Sequence, residues 1–187
     1  MQIGQLLREF HRTPMEAFGY IGPNGIWTAH ATNYAYISCQ FDRKLQEFVD
    51  RGGAISLARR VEVHAADRMG LLHECTQPVL CHNDLHAGNL LAEVAQGAVR
   101  LSGVLDFEGA LAGDPLMDVA KALYYVNEQA RSALLEGYGE MGRRQPSQTL
   151  DFYHLYFVLE LWCWMAQIGN NKALEKLALD LERLSAV

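Results

Sequence analysis

The segment from Val79 to Asp118 constrains this chain more than any other, because it concentrates acidic and amide side chains between short apolar runs. It opens with the apolar run 79–81, which favours a strand, and continues into a polar loop with Gly88 as a turn residue. Apolar runs at 90–94 and 99–105 flank a turn signal at 95–98 and predict a β-hairpin. Because a hairpin returns the chain on itself, we expect Asp106 to lie beside the polar loop.

The polar loop and the end of the hairpin supply oxygen ligands. Asp84 and Asp106 are carboxylates, and Asn89 carries a neutral carboxamide. Magnesium prefers such oxygen ligands, usually one or two carboxylates together with substrate phosphates. If Asn89 and Asp106 hold the metal, Asp84 is left to accept or orient the proton of an attacking hydroxyl. The pattern therefore favours magnesium-dependent phosphoryl transfer.

Two stretches carry a resemblance to a known family: HNDLHAGN at 82–89 and VLDFEGALAGDPLMD at 104–118. Together they resemble the aminoglycoside phosphotransferase family, which has the protein-kinase-like fold. The resemblance implies that Asp84 is the catalytic base and that Asn89 and Asp106 bind magnesium and, through it, ATP. It also implies that His82 braces the catalytic loop and that Asp118 holds this loop from below.

Three further acidic residues are candidates of a weaker kind. Glu108 stands where protein kinases have the third-position glycine, and Glu160 lies in a late helical segment, where the resembled family bears substrate-contacting acids. Both are tentative substrate contacts. Asp114 precedes Pro115, so it is predicted to be the N-cap of the helix that follows, and it is also a candidate for structural support of the site.

The resemblance covers only the C-terminal lobe of the family. The expected fold is mainly α with a small β-hairpin (α+β), in one domain over 1–187 with a catalytic loop at 82–89, a metal-binding segment at 106–108 and a helical remainder. An N-terminal lobe with a glycine-rich loop and a phosphate lysine is not expected here. Gly137, Gly139 and Gly142 do match G-x-G-x-x-G, but they follow a helical stretch, so we interpret them as a helix stop. We therefore expect the chain to need that lobe in cis or from a partner, or to self-associate.

Two functions of other classes stay open. The chain could be a non-catalytic small-molecule binding or pseudokinase module. Alternatively, His82, Asp84 and His86 could hold zinc in a hydrolase, because imidazoles and a carboxylate on alternate residues are a plausible zinc cluster. Within the phosphotransferase hypothesis, the hydroxyl acceptor could be an aminoglycoside, another antibiotic, an amino alcohol or a sugar.

Composition excludes several partners. The net charge of -6 argues against nucleic-acid binding. The four cysteines show no C-x-x-C spacing, and the N-terminus has no basic region followed by an apolar stretch, so we expect free thiols and a cytoplasmic location. The longest apolar run, 152–168, contains His154, Glu160 and Gln167 and is interpreted as a core helix that does not span a membrane.

Apolar spacing outlines the scaffold. Helices are predicted over 3–10, from 33 to the glycines at 52–53, over about 55–72, and repeatedly after Asp118. Residues 17–27, with three glycines among aromatic residues, predict a turn-rich loop that is a secondary candidate for substrate contact.

Overall fold

Helices dominate residues 1–186, the part of the chain that the computed structural model describes. The helices are α1 (Gln2–Phe10), α2 (Asn33–Asp50), α3 (Ile55–Ala66), α4 (Pro115–Tyr125), α5 (Glu128–Tyr138), α6 (Pro146–Gln167) and α7 (Asn171–Leu184). Short 3-10 helices lie at Met69–Glu74 and Ala87–Asn89. The predicted helices are thus confirmed, except that the one expected to reach residue 72 ends at Ala66 and is followed by a 3-10 segment.

The strands form a small sheet and a separate hairpin. Strands β1 (Phe18–Gly22), β2 (Gly25–His30), β3 (Val79–Cys81) and β6 (Leu111–Gly113) make an antiparallel sheet in the order β2-β1-β6-β3. Strands β4 (Leu90–Ala95) and β5 (Ala98–Val104) pair as a two-stranded hairpin. The predicted strand at 79–81 and the predicted hairpin are confirmed, and the chain is a mixed α/β structure.

The prediction of a loop over 17–27 is wrong, because these residues form most of the β1–β2 hairpin. Gly19 has φ of +150° at a register shift between β1 and β2, and a Cβ there would come within 2.8 Å of the Trp27 carbonyl oxygen. Glycine at a bulge permits this close approach of two backbones. The glycines therefore mark a distorted hairpin, although their density resembles that of a loop.

The core is built around α6. Phe152, Tyr153 and Tyr156 are fully buried, and α6 packs against α2, α4 and α7. The interpretation of 152–168 as a core helix is confirmed. Within residues 1–186, no helix combines the length and apolar character needed to cross a lipid bilayer.

The G-x-G-x-x-G match belongs to the scaffold. A Cβ on Gly137 would lie 2.0 Å from the Met1 carbonyl oxygen, so this glycine permits α5 to approach the start of α1. Gly139, with φ of +82°, is the C-cap of α5. The predicted helix stop is confirmed.

The end of β3 contacts the residues that precede α4. Strands β3 and β6 are antiparallel, so Cys81 at the end of β3 pairs with Leu111, and the Sγ of Cys81 donates to the carbonyl oxygen of Asp114 at 3.6 Å. The polar loop therefore begins from a residue that contacts the start of α4. Asp114 is the N-cap of α4, as predicted: its side chain accepts a hydrogen bond from the backbone N–H of Leu116, and Pro115 occupies the first turn.

Candidate active site

Asp118 holds the first residues of the polar loop. Its Oδ2 accepts the backbone N–H of His82 at 2.7 Å, and its Oδ1 accepts that of Asn83 at 2.9 Å. The carboxylate is completely buried, and His11 Nε2 lies 3.3 Å from Oδ2. A buried carboxylate that meets two backbone donors and an imidazole is well satisfied. The geometry makes Asp118 a support beneath the loop.

His82 connects the loop to the end of β5. Its Nε2 lies 3.0 Å from the carbonyl oxygen of Leu105, and its Nδ1 accepts the backbone N–H of Asp84 at 3.3 Å. The ring is fully buried, with the ring of Phe107 at 4.6 Å between centroids. Both ring nitrogens are engaged, so His82 has no lone pair left for a metal. This geometry disfavours the zinc hypothesis, and the cluster of potential metal ligands found in residues 1–186 is a different one, formed by His11, Cys81 and Asp118.

Asp84 and Asn89 contact each other across the loop. The Asn89 Nδ2 donates to the backbone oxygen of Asp84 at 3.0 Å and to its Oδ2 at 3.3 Å. The Asp84 side chain is 45% exposed, and His86 Nε2 lies 3.6 Å from Oδ2. Asp84 therefore presents a solvent-accessible carboxylate whose orientation is fixed on one side by Asn89.

Asp106 is held next to this loop through its neighbour Leu105. The backbone N–H of Leu105 donates to the Asn89 carbonyl oxygen at 2.9 Å, and its own carbonyl oxygen meets His82. Asp106 follows with φ of +63°, a left-handed conformation that aspartate adopts more readily than most residues, and its side chain is exposed. Unusual backbone conformations of this kind cluster at functional sites.

A cavity of about 390 Å³ collects the candidate residues. Asp84, Asp106, Glu108 and Glu160 all contribute to its wall. Asn89 lies behind Asp84 and is buried. Aromatic side chains also line the cavity: Tyr20, Tyr125, Phe157 and Trp164. Tyr20 and its neighbours at 17–27 were a secondary candidate for substrate contact, and of these residues Tyr20 lines the cavity.

Glu160 is paired within the cavity. Lys121 Nζ lies 2.6 Å from Glu160 Oε2, and the hydroxyls of Tyr20 and Tyr156 each donate to Oε1 at 3.5 Å. Burial acts to raise the pKa of Glu160, but the Lys121 ammonium together with the charges of Lys44 and Arg43 outweighs it, so the pKa lies below its ordinary value. Glu160 is therefore an ionised carboxylate that is largely neutralised by a neighbouring cation, whereas Glu108 is exposed at the cavity wall.

Asp114 does not line this cavity. Besides capping α4 it accepts hydrogen bonds from Asn33 Nδ2 at 3.3 Å, Tyr153 at 3.0 Å and Arg143 at 3.1 Å. These partners come from α2, α6 and the segment between α5 and α6. The contacts make Asp114 a structural residue of the scaffold beneath the site.

Asn83 and Lys121 are among the cavity residues that sequence reasoning missed. Asn83 has φ of +66° and lies between His82 and Asp84, where spacing alone gives no signal. Lys121 had one: it interrupts the otherwise apolar run VAKALYY three residues after Asp118, and a lysine on a buried helix face requires a partner.

Solved structures share this fold. A thermostable mutant of the aminoglycoside phosphotransferase APH(4)-Ia superposes with a TM-score of 0.68 at 23% identity, over 90% of this chain and 56% of that one. A putative fructosamine-3-kinase from Thermobifida fusca superposes with a TM-score of 0.68 at 22% identity, over 97% of this chain and 64% of that one. A choline/ethanolamine kinase family protein from Mesorhizobium loti superposes with a TM-score of 0.66 at 16% identity, over 100% of this chain and 60% of that one. The chain thus spans between about half and two thirds of the length of these proteins.

The family itself is shown by sequence. A model of the phosphotransferase enzyme family matches residues 2–156, most of the chain and all of the segment from Val79 to Asp118. This match agrees with the resemblance carried by residues 82–89 and 104–118. The chain is a member of the phosphotransferase enzyme family.

Proposed function

We propose that this chain is the catalytic part of a magnesium- and ATP-dependent phosphotransferase that phosphorylates a hydroxyl group of a small molecule. The observation that carries the proposal is the double attachment of Leu105. Its N–H donates to Asn89 and its carbonyl oxygen meets His82, so both ends of the polar loop contact the residue before Asp106. Asp84 and Asp106 thereby share one cavity.

Asn89 and Asp106 would hold the magnesium ion, and their donor atoms fit one. Asn89 uses its Nδ2 on Asp84, and no donor within residues 1–186 occupies its Oδ1. Asp106 offers an exposed carboxylate at the cavity wall. Oxygen atoms of a carboxylate and a carboxamide suit a hard cation. When bound, magnesium would neutralise charge on the nucleotide phosphates.

Asp84 would act on the acceptor. The acceptor oxygen forms a bond to the γ-phosphorus of ATP, the bond from that phosphorus to the ADP oxygen breaks, and the hydroxyl proton passes to the Asp84 carboxylate. Asn89 and the neighbouring His86 orient this carboxylate, and its exposure leaves room for an acceptor. Positioning of this kind supplies most of the catalysis in phosphoryl transfer.

The acceptor would contact the aromatic residues of the cavity. Of the two tentative substrate contacts, Glu108 has no salt-bridge partner in residues 1–186, whereas Glu160 is paired with Lys121. Solved structures of similar fold include a complex of APH(4)-Ia with AMP-PNP and hygromycin B, along with the fructosamine and choline/ethanolamine kinases named above. These names define a first panel of acceptors: an aminoglycoside, a fructosamine and an amino alcohol.

We also propose that the clamp on the nucleotide is completed by a second lobe, supplied in cis or by a partner chain. The chain matches 56% of the length of APH(4)-Ia. The hairpin β4–β5 exposes apolar side chains, with Val94 at 77% and Val99 at 61% exposure. Exposed apolar clusters of this kind mark contact surfaces or promote self-association. Without the second lobe, we expect MgATP to bind no tighter than about millimolar, which corresponds to about 4 kcal/mol.

The test is a transfer assay on the purified protein with magnesium and the acceptor panel, with and without excess chelator. Radiolabelled ATP is supplied well above the expected millimolar dissociation constant, so that weak nucleotide binding by the chain alone does not hide slow transfer. We expect label in at least one acceptor and none when Asp106→Ala replaces the wild type. Small-molecule binding without nucleotide consumption would favour the non-catalytic module and overturn the proposal. Stoichiometric zinc that survives dialysis, together with hydrolytic activity, would overturn it in favour of the zinc hydrolase.

A further inference from the structure

Lys121 is a buried cation at the floor of the cavity, with contacts on two sides. Its side chain is 3% exposed. On one side Nζ meets Glu160 Oε2, and on the other it donates to the backbone oxygen of Asn83 at 3.3 Å and to the Asn83 Oδ1. Burial of an ammonium group is costly unless it is paired and hydrogen-bonded. Neutralisation of Glu160 alone does not require the contacts with Asn83.

Asn83 has a hydrogen-bond partner for each of its polar groups. Its N–H donates to Asp118, its carbonyl oxygen and Oδ1 accept from Lys121, and its Nδ2 donates to the Gly109 carbonyl oxygen at 3.0 Å. Because Lys121 is a donor only, its contact with Oδ1 fixes which way the carboxamide faces. The nitrogen of that carboxamide must then point to Gly109, three residues after Asp106.

This arrangement links the two segments of the site through one side chain. Asn83 directly precedes Asp84 and adopts φ of +66°, a left-handed conformation that asparagine adopts more readily than most residues other than glycine. Gly109 belongs to the loop that begins with Asp106. Lys121 therefore stabilises both the backbone that presents Asp84 and the contact between the catalytic loop and the metal-binding segment.

We propose that Lys121 is a positioning residue that sets, through Asn83, the position of Asp84 relative to Asp106. This inference rests on the proposed phosphotransfer function for its catalytic consequence. Its structural part stands separately, because it concerns the order of the catalytic loop. The competing explanation is that Lys121 only compensates the charge of Glu160.

Five variants separate the two explanations, and the fifth combines Asn83→Gly with Lys121→Met. Lys121→Met removes both contacts of the ammonium group. Lys121→Met combined with Glu160→Gln also removes the Glu160 carboxylate, which would otherwise be buried without its cation. This double variant keeps the test valid if the single variant Lys121→Met fails to fold. Asn83→Gly keeps the left-handed backbone but removes the carboxamide. Lys44→Met is the matched control, since Lys44 also lines the cavity but pairs with Glu47 and makes no hydrogen bond to the loop within residues 1–186.

The measurements are amide hydrogen exchange of residues 82–89 and the steady-state kcat and KM for an accepted substrate. In the double variant we expect loop amides to exchange roughly tenfold faster and kcat to fall about tenfold to a hundredfold, with a smaller change in KM. Asn83→Gly should resemble it, and adding Asn83→Gly to Lys121→Met should have less than an additive effect. Lys44→Met should leave the exchange of these amides unchanged.

Two results would overturn the inference. If Glu160→Gln restores wild-type exchange and kcat to Lys121→Met, Lys121 serves only to compensate Glu160. If the effects of Asn83→Gly and Lys121→Met simply add, the two residues do not act together. A wild-type protein that transfers phosphate to no acceptor refutes the proposed function, whereas the exchange measurements still decide whether Lys121 orders the loop.

Discussion

Replacement of Asp118 by asparagine tests the support beneath the polar loop at 82–89 without requiring any activity. The carboxylate accepts two backbone N–H groups, from His82 at 2.7 Å and from Asn83 at 2.9 Å, while buried. Asparagine has one acceptor oxygen and a donor NH2 group of nearly the same size. In the variant, one of the two backbone N–H groups therefore keeps a weaker hydrogen bond to the neutral amide oxygen, and the other faces the NH2 group, which cannot accept.

The magnitude follows from these two bonds. A hydrogen bond to a charged group contributes about 1.5–3 kcal/mol, and a buried donor left without an acceptor costs about 1–3 kcal/mol. Allowing for the bond that asparagine retains, we expect the free energy of unfolding to fall by about 2–4 kcal/mol. For a chain of this size, that lowers Tm by roughly 4–16 °C.

The assay is urea denaturation followed by circular dichroism, with hydrogen exchange of residues 82–84 as a local measurement. Asp42→Asn is the control, because Asp42 is exposed and its side chain makes no hydrogen bond within residues 1–186. This control should change the free energy of unfolding by less than about 0.5 kcal/mol. A loss in Asp118→Asn no larger than that of the control, with unchanged exchange at His82 and Asn83, would refute the argument.

Three further predictions concern the cavity. Asp84→Asn keeps the size of the side chain and removes the base, so kcat should fall by roughly a hundredfold to ten-thousandfold with little change in Tm, and near-normal turnover would contradict the role. Replacement of Asp106 by alanine should abolish activity, and manganese should replace magnesium better than zinc in the wild type; metal dependence that is unchanged in the variant would sink the assignment. Glu160→Gln should be less stable than the wild type at neutral pH, and the difference in free energy of unfolding between the two proteins should become smaller in acid. The lowered pKa of Glu160 means that its contribution is present above the ordinary value of 4.5 and is lost as pH falls through the folded-state value. Urea denaturation of both proteins at pH 7 and at about pH 3 measures this difference, and a constant difference would argue against an ionised Glu160 paired with Lys121.

The strand, the hairpin and the N-cap within Val79–Asp118 were predicted correctly because local chemistry determines them. An apolar run that ends in a polar loop, a turn between two strands, and an aspartate before proline each specify structure within a few residues. The β1–β2 hairpin was missed because its glycines permit a backbone approach to Trp27, which lies on the other strand and is invisible to local patterns. Contacts between distant segments, such as Lys121 with Asn83, are likewise absent from spacing, although a lysine within an apolar helix indicated that some partner exists.

One turn of α4 supports the backbone of the loop before Asp84. Asp118 and Lys121 are three residues apart, so both side chains project from the same face of the helix toward the loop. The anion meets the N–H groups of His82 and Asn83, and the cation meets the carbonyl oxygen of Asn83, so each charge is opposite to the backbone dipole it contacts. Exchange of the two charges would leave donors facing donors and acceptors facing acceptors. Asn83, the left-handed residue before the proposed base, is thus held at both its N–H and its carbonyl oxygen by side chains of one helix. This helix is itself capped at its N-terminus by Asp114.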